Sequence, residues 1–133
     1  MPESITYKAL KPQIFNIRCW VKEVEPRPLK TVFNKLLKKT DFNILSFSEH
    51  NFPVEGYTAI WLLAESHLAI HTFPQHEWSY VELSGCNAHK TVDFKRSLLK
   101  TGVDVTFETD AIAAKIPEKQ SENTDQKIKM NGA

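Results

Sequence analysis

The chain has 133 residues, 41% of them hydrophobic, with 17 Lys and Arg against 16 Asp and Glu and a net charge of +1. That length suits one compact domain with its own core. The near-neutral balance gives no global field pointing to nucleic acid or membrane. No apolar run reaches the roughly 18 residues a bilayer span needs.

Met1-Pro2-Glu3-Ser4 lacks an apolar signal segment, and two cysteines, Cys19 and Cys86, make no disulfide framework. Both features predict a cytoplasmic protein with free thiols. Residues 14–24 predict a strand with Phe15, Ile17, Cys19 and Val21 on one face and Asn16, Arg18 and Trp20 on the other. Cys19 reads as a buried small apolar residue. Glu25-Pro26-Arg27-Pro28 breaks the strand, and Pro28 opens a helix. Leu29, Val32, Phe33, Leu36 and Leu37 form its apolar stripe. Lys35, Lys38 and Lys39 read as its solvated face and as favourable charge at its C-terminal end. A phosphate-binding reading of these lysines is the minor alternative.

Residues 42–48 predict a second strand, with Phe42, Ile44, Ser46 and Ser48 opposed to Asn43, Leu45 and Phe47. His50 to Gly56 reads as a loop. Tyr57 to Ala64 is nearly all apolar, which predicts a central strand buried on both faces, with Trp61 in the core. Residues 67–73 and 78–84 both alternate, and Pro74-Gln75-His76-Glu77 lies between them. This predicts a β-hairpin. With its centre near Gln75 and His76, opposed residue numbers sum to about 151–152. Ser66 then faces Gly85 or Cys86, and directly opposed Cβ atoms lie about 5 Å apart. His71 sits five residues beyond Ser66, about 16 Å along a strand at about 3.3 Å per residue. Either the chain breaks near Ser66 or His71 serves a site on another subunit. Residues 90–101 predict a second helix through Thr91, Phe94, Leu98 and Leu99, with Gly102 at its end. Residues 103–108 predict a last strand. Residues 1–116 thus form one domain, and the polar residues 117–133 are expected to be a disordered tail. The order is strand, helix, three strands of which two form the central hairpin, helix, strand. That is a two-layer α+β domain, an antiparallel sheet with helices packed on one face.

Chemistry concentrates in Glu65-Ser66-His67-Leu68-Ala69-Ile70-His71-Thr72-Phe73-Pro74, with Cys86 one hairpin away. A metal reading is poor. His67 and His71 are about 13 Å apart on a strand, too far to share an ion at about 2 Å per bond, and no cluster of further ligands completes a site. A Ser-His-Asp hydrolase lacks its Gly-x-Ser-x-Gly elbow.

The string resembles the prokaryotic-type S-adenosylmethionine decarboxylase proenzymes, small pyruvoyl-dependent enzymes of polyamine synthesis. Their pattern is Glu-Ser-His, two residues, Ile-His-Thr-Trp-Pro-Glu, then an Asp and a Cys-Gly after a short hairpin. The likeness is close over roughly residues 56–87, and elsewhere covers length and element order. It implies a carboxy-lyase that cuts itself between Glu65 and Ser66. Ser66 attacks the Glu65 carbonyl, and the ester eliminates to leave a pyruvoyl group at residue 66. That ketone forms a Schiff base with the substrate amine and acts as the electron sink. By the same resemblance His71 assists processing, Cys86 protonates the carbanion, and Thr58 supports processing. A homodimer with shared active sites is implied, with a small-molecule substrate. Glu82 shares a strand face with Cys86 by period two and reads either as a group that positions substrate or tunes the thiol, or as a solvated edge residue.

The chain departs from the family at Phe73 for Trp, Gln75 for Glu, Glu82 for Asp, Ser84 for an aromatic residue and Asn87 for Gly. It also has Phe15-Asn16-Ile17-Arg18 where the family opens on Gly-x-His. These changes fall on the groups expected to shape the substrate pocket. Arginine or ornithine is therefore an alternative substrate. An unprocessed, non-catalytic regulatory relative is the alternative of another class.

Overall fold

The computed structural model describes residues 13–108; the expected tail at 117–133 lies outside them. Six strands and two helices occur in the order β1 (Phe15–Val21), α1 (Pro26–Lys39), β2 (Ile44–Asn51), β3 (Tyr57–Leu63), β4 (Ser66–Phe73), β5 (Trp78–Gly85), α2 (Ala88–Leu99) and β6 (Val105–Phe107). The sheet order is β2-β3-β4-β5-β1-β6. Every adjacent pair is antiparallel. Both helices cover one face, so the fold is the expected two-layer α+β sandwich. No helix among the described residues is long and apolar enough to cross a membrane.

The inner face follows from alternation. Ile17, Cys19 and Val21, then Tyr57, Ala59, Trp61 and Leu63, then Leu68 and Ile70, then Val81 and Leu83 are buried. Leu29, Phe33, Leu36 and Leu37 of α1 and Phe94 and Leu98 of α2 close over them. Asn87 caps α2 by accepting from the Lys90 N–H at 3.0 Å.

Four expectations need correction. Four strands, not three, separate the helices. The chain reverses at Ala64 and Glu65, which pairs Leu63 with Ser66, so residues 57–64 and 66–73 are two strands of a tight hairpin. The central strand is buried on one face only: Ile60 and Leu62 are 43% and 50% exposed, because no helix among the described residues covers the outer face. The second strand runs to Asn51, so His50 lies in a strand and not in a loop. Finally, a bulge between Ile44 and Ser46 breaks the alternation in β2. Leu45 stays out in solvent, but Phe47, expected on its face, comes onto the inner face and the Trp61 ring at 4.7 Å between centroids.

Candidate active site

The hairpin of β4 and β5 pairs His67 with Ser84 and His71 with Tyr80. Its register carries Ser66 to Gly85, as the sequence arithmetic expects. An added Cβ at Gly85 would lie 3.6 Å from Ser66 Oγ and 3.2 Å from Thr91 Oγ1. The bare glycine therefore leaves room beside the Ser66 hydroxyl.

On the other side of Ser66 is the β3–β4 turn. Glu65 has φ +60°, the left-handed region that costs a residue with a side chain about 1–2 kcal/mol. Its carboxylate reaches over the end of the hairpin, and the Cys86 thiol donates to Glu65 Oε1 at 3.5 Å. Strained peptide, serine hydroxyl and exposed thiol thus meet at one end of the sheet. Sequence reasoning gave Glu65 no role beyond the peptide bond. Nothing in its spacing to Cys86 signals the contact, since the turn that aims it has no Gly or Asn.

His71 is elsewhere. It stands on the outer face of β4, whereas Ser66 faces inward with Leu63 and Leu68. Five residues also separate them, about 16 Å. Across from His71 on β3 is Thr58, with Thr58 Oγ1 3.0 Å from His71 Nδ1. That contact fixes the ring and leaves Nε2 without a partner among the described residues.

Glu82 does not join Cys86. Its strand pairing sets it between Ala69 and Arg18, and the Tyr80 hydroxyl donates to Glu82 Oε1 at 3.2 Å. Burial, with the Glu82 carboxylate beside it, pushes the Tyr80 phenol up to about 12. Trp20 is on the same face, with its ring 5.2 Å from Tyr80 and 5.7 Å from Phe73. Its Nε1–H donates to Glu108 Oε2 at 2.7 Å. This aromatic and acidic cluster was not expected from the sequence. Alternation puts Trp20, Tyr80 and Phe73 on one face only once the β1–β5 pairing is known.

The other thiol, Cys19, is fully buried on β1, and burial raises it to about 12. It is a core residue and takes no part in the site.

Residues 23–108 match the sequence profile of the S-adenosylmethionine decarboxylase family. The chain belongs to this family. Among its relatives is the S-adenosylmethionine decarboxylase proenzyme of Parasynechococcus marenigrum (strain WH8102), 34% identical over 61 residues, which are 46% of this chain and 48% of that protein. The proenzyme of Sulfurihydrogenibium sp. (strain YO3AOP1) is 31% identical over 74 residues, 55% of this chain and 56% of the relative. The chain thus spans about half the length of the curated relatives it matches. A crystal structure of the adenosylmethionine decarboxylase from Aquifex aeolicus VF5 shares the fold, with a TM-score of 0.58 at 19% identity. The superposition covers 87% of this chain and 99% of that one.

Proposed function

We propose that this protein is a self-processing, pyruvoyl-dependent S-adenosylmethionine decarboxylase of polyamine synthesis, working as a homodimer with shared active sites. The observation that carries the reading is the end of the β4–β5 hairpin. There a peptide bond with a left-handed residue on its N-terminal side precedes a serine whose hydroxyl has open space beside it, and the carboxylate of that left-handed residue accepts from a thiol.

Processing follows from these groups. Ser66 Oγ attacks the Glu65 carbonyl carbon, and the amide C–N bond breaks as the ester C–O bond forms. A base then removes the Ser66 α-proton, the Cβ–Oγ bond breaks, and the Glu65 main-chain carboxylate leaves as the new C-terminus. Water hydrolyses the resulting dehydroalanine, releasing ammonia. The strained φ of Glu65 raises the starting state and is lost when the chain ends there. The three-carbon pyruvoyl group at residue 66 fits the space that Gly85 leaves open. That group supplies an electrophilic carbonyl for the substrate amine and an electron sink for loss of carbon dioxide. Cys86 Sγ–H is the proton donor, and the Glu65 carboxylate orients it.

His71 serves the site of a second copy, supported by Thr58 through Nδ1. The distance and the opposite face both argue for this. The uncovered outer face, with Ile60, Leu62 and Phe73 exposed, offers apolar surface for that second copy. The rings of Trp20, Tyr80 and Phe73 beside the Glu82 and Glu108 carboxylates suit a substrate with a flat base and a positive charge. This favours S-adenosylmethionine over arginine or ornithine.

Intact mass of freshly purified protein tests the proposal. Two fragments are expected in place of the 15.3 kDa chain, one ending at Glu65 and one starting with pyruvoyl at position 66. Both should vanish in Ser66→Ala. A chain that stays whole through long incubation sinks the self-processing reading.

A further inference from the structure

The helical layer carries charge that the proposed reaction does not use. Nine of the eleven Lys and Arg in residues 13–108 lie within 26–39 and 88–100, but only one of the eleven Asp and Glu, Asp93, does. Helix α1 alone has Arg27, Lys30, Lys35, Lys38 and Lys39 and no carboxylate. Its pairs Arg27–Lys30, Lys35–Lys38 and Lys35–Lys39 are like charges at i, i+3 or i, i+4 spacing, which oppose helix formation. Arg27 also stands at the positive end of the helix dipole. Lys38 and Lys39 have a reason to be where they are, at the negative end. Lys35, in the body of the helix, has none. A face kept only for solubility would intersperse both signs.

Between α1 and the end of α2 lies a cleft of about 280 Å³. Thr31, Lys35 and Lys39 line one wall, on one side of α1 at i, i+4 and i+8, and Ser97 and Lys100 line the other. Val32 and Leu36 also line it and give it an apolar patch. The Thr101 hydroxyl at its rim is spent on the Leu98 carbonyl at 2.7 Å. The side chains of Thr31, Lys35, Lys39, Ser97 and Lys100 have no hydrogen-bond or ion-pair partner among the described residues. The nearby Lys30 differs, since it is held by Glu49 at 3.0 Å.

We infer that this cleft, in the helical layer and lined by none of the residues of the proposed active site, binds a small molecule bearing a di- or triphosphate group. Three ammonium groups and two hydroxyls converge on a space large enough for a short phosphate chain and too small for a large ligand. A phosphate chain offers many charged acceptors at once and can satisfy all five donors. An anion bound there offsets the repulsion between Lys35 and Lys39. The inference stands apart from the decarboxylase reading, since it uses none of the same residues.

Inorganic tripolyphosphate is the probe, added to the full chain at fixed ionic strength, with sulfate as the matched control. Tripolyphosphate is expected to raise the Tm by a few degrees and sulfate to leave it nearly unchanged. In the double variant Lys35→Gln/Lys100→Gln, affinity for tripolyphosphate should fall at least tenfold, while the free protein melts at the same temperature or higher because like charges are gone. Three results overturn the inference: an equal shift with sulfate, affinity retained in the double variant, or a free double variant that melts lower than the parent. The last would mean that the lysines hold the fold and not a ligand.

Discussion

Glu65 is the residue on which the proposed processing turns. A glutamate held at φ +60° stores about 1–2 kcal/mol that glycine would not. If that strain is released on the way to the ester, removing it slows the acyl shift by about tenfold, since 1.4 kcal/mol is a factor of ten in rate. Glu65→Gly should therefore leave a more stable proenzyme that cleaves about tenfold more slowly, followed as fragment appearance over time. Glu65→Gln keeps the strain and changes only the group that accepts from Cys86. Its cleavage rate should stay within about twofold of the parent, while Cys86 alkylates at a different rate. Equal cleavage rates in Glu65→Gly and the parent would show that the strained turn plays no part in the reaction. The sequence placed Ser66 and Cys86 together because hairpin arithmetic needs only alternation and a turn opened by Pro74. It did not show the Glu65 contact, because a left-handed glutamate leaves no compositional trace.

Strand β1 joins the helix-covered core to the outer aromatic cluster, and its pairing with β5 ties the fold to pH. Cys19 on β1 is raised by burial from 9.0 to about 12, and Tyr80, opposite Trp20 on β5, is raised to about 12 mainly by burial. Both groups hold their protons more tightly in the folded state. Their contribution is fully present below the unfolded values, 9.0 for the thiol and 10.0 for the phenol, and is lost as pH climbs toward 12. For the thiol the full effect is at most about 4 kcal/mol. Denaturant unfolding is expected to give flat stability up to about pH 9 and a progressive loss above it. Cys19→Val should flatten the first part of that loss and leave the tyrosine part. A parent and variant with parallel curves would show that the thiol does not titrate in this window. These strands were legible because each alternates or stays apolar over several residues. The β2 bulge was not, since an inserted residue shifts the phase without changing the composition. The Ala64–Glu65 reversal was hidden for a related reason, because the apolar run of β3 leads directly into β4 with no Gly, Pro or Asn between. That one hidden turn sets the β3–β4 register, so the Thr58–His71 contact was beyond derivation from pairing, and Thr58 entered only as a processing residue through the family resemblance.

Among the described residues, helices cover one face of the sheet and leave the other bare, with His71 on the bare side and Ser66 facing inward at its end. A single copy cannot close that gap without breaking β4, whose pairing with both β3 and β5 is continuous from His67 to His71. A second copy meeting the bare face can close it, and mixed dimers test this directly. Chains carrying His71→Ala, and separately Ser66→Ala, should each remain uncut when made alone. Co-expressed with distinguishable tags, the His71→Ala chain should be cleaved up to the fraction present as mixed dimers, because its Ser66 then meets an intact His71 on the other chain. Leu62 is half exposed on the bare face and pairs with His67. Adding Leu62→Lys to the His71→Ala chain sets a charge into the contact without burying one in the monomer, so it should abolish the rescue while the chain still folds. Co-expression that leaves the His71→Ala chain whole would show that His71 does not reach Ser66 of the other chain. The shared site would then have to be given up, even if the chain cuts itself.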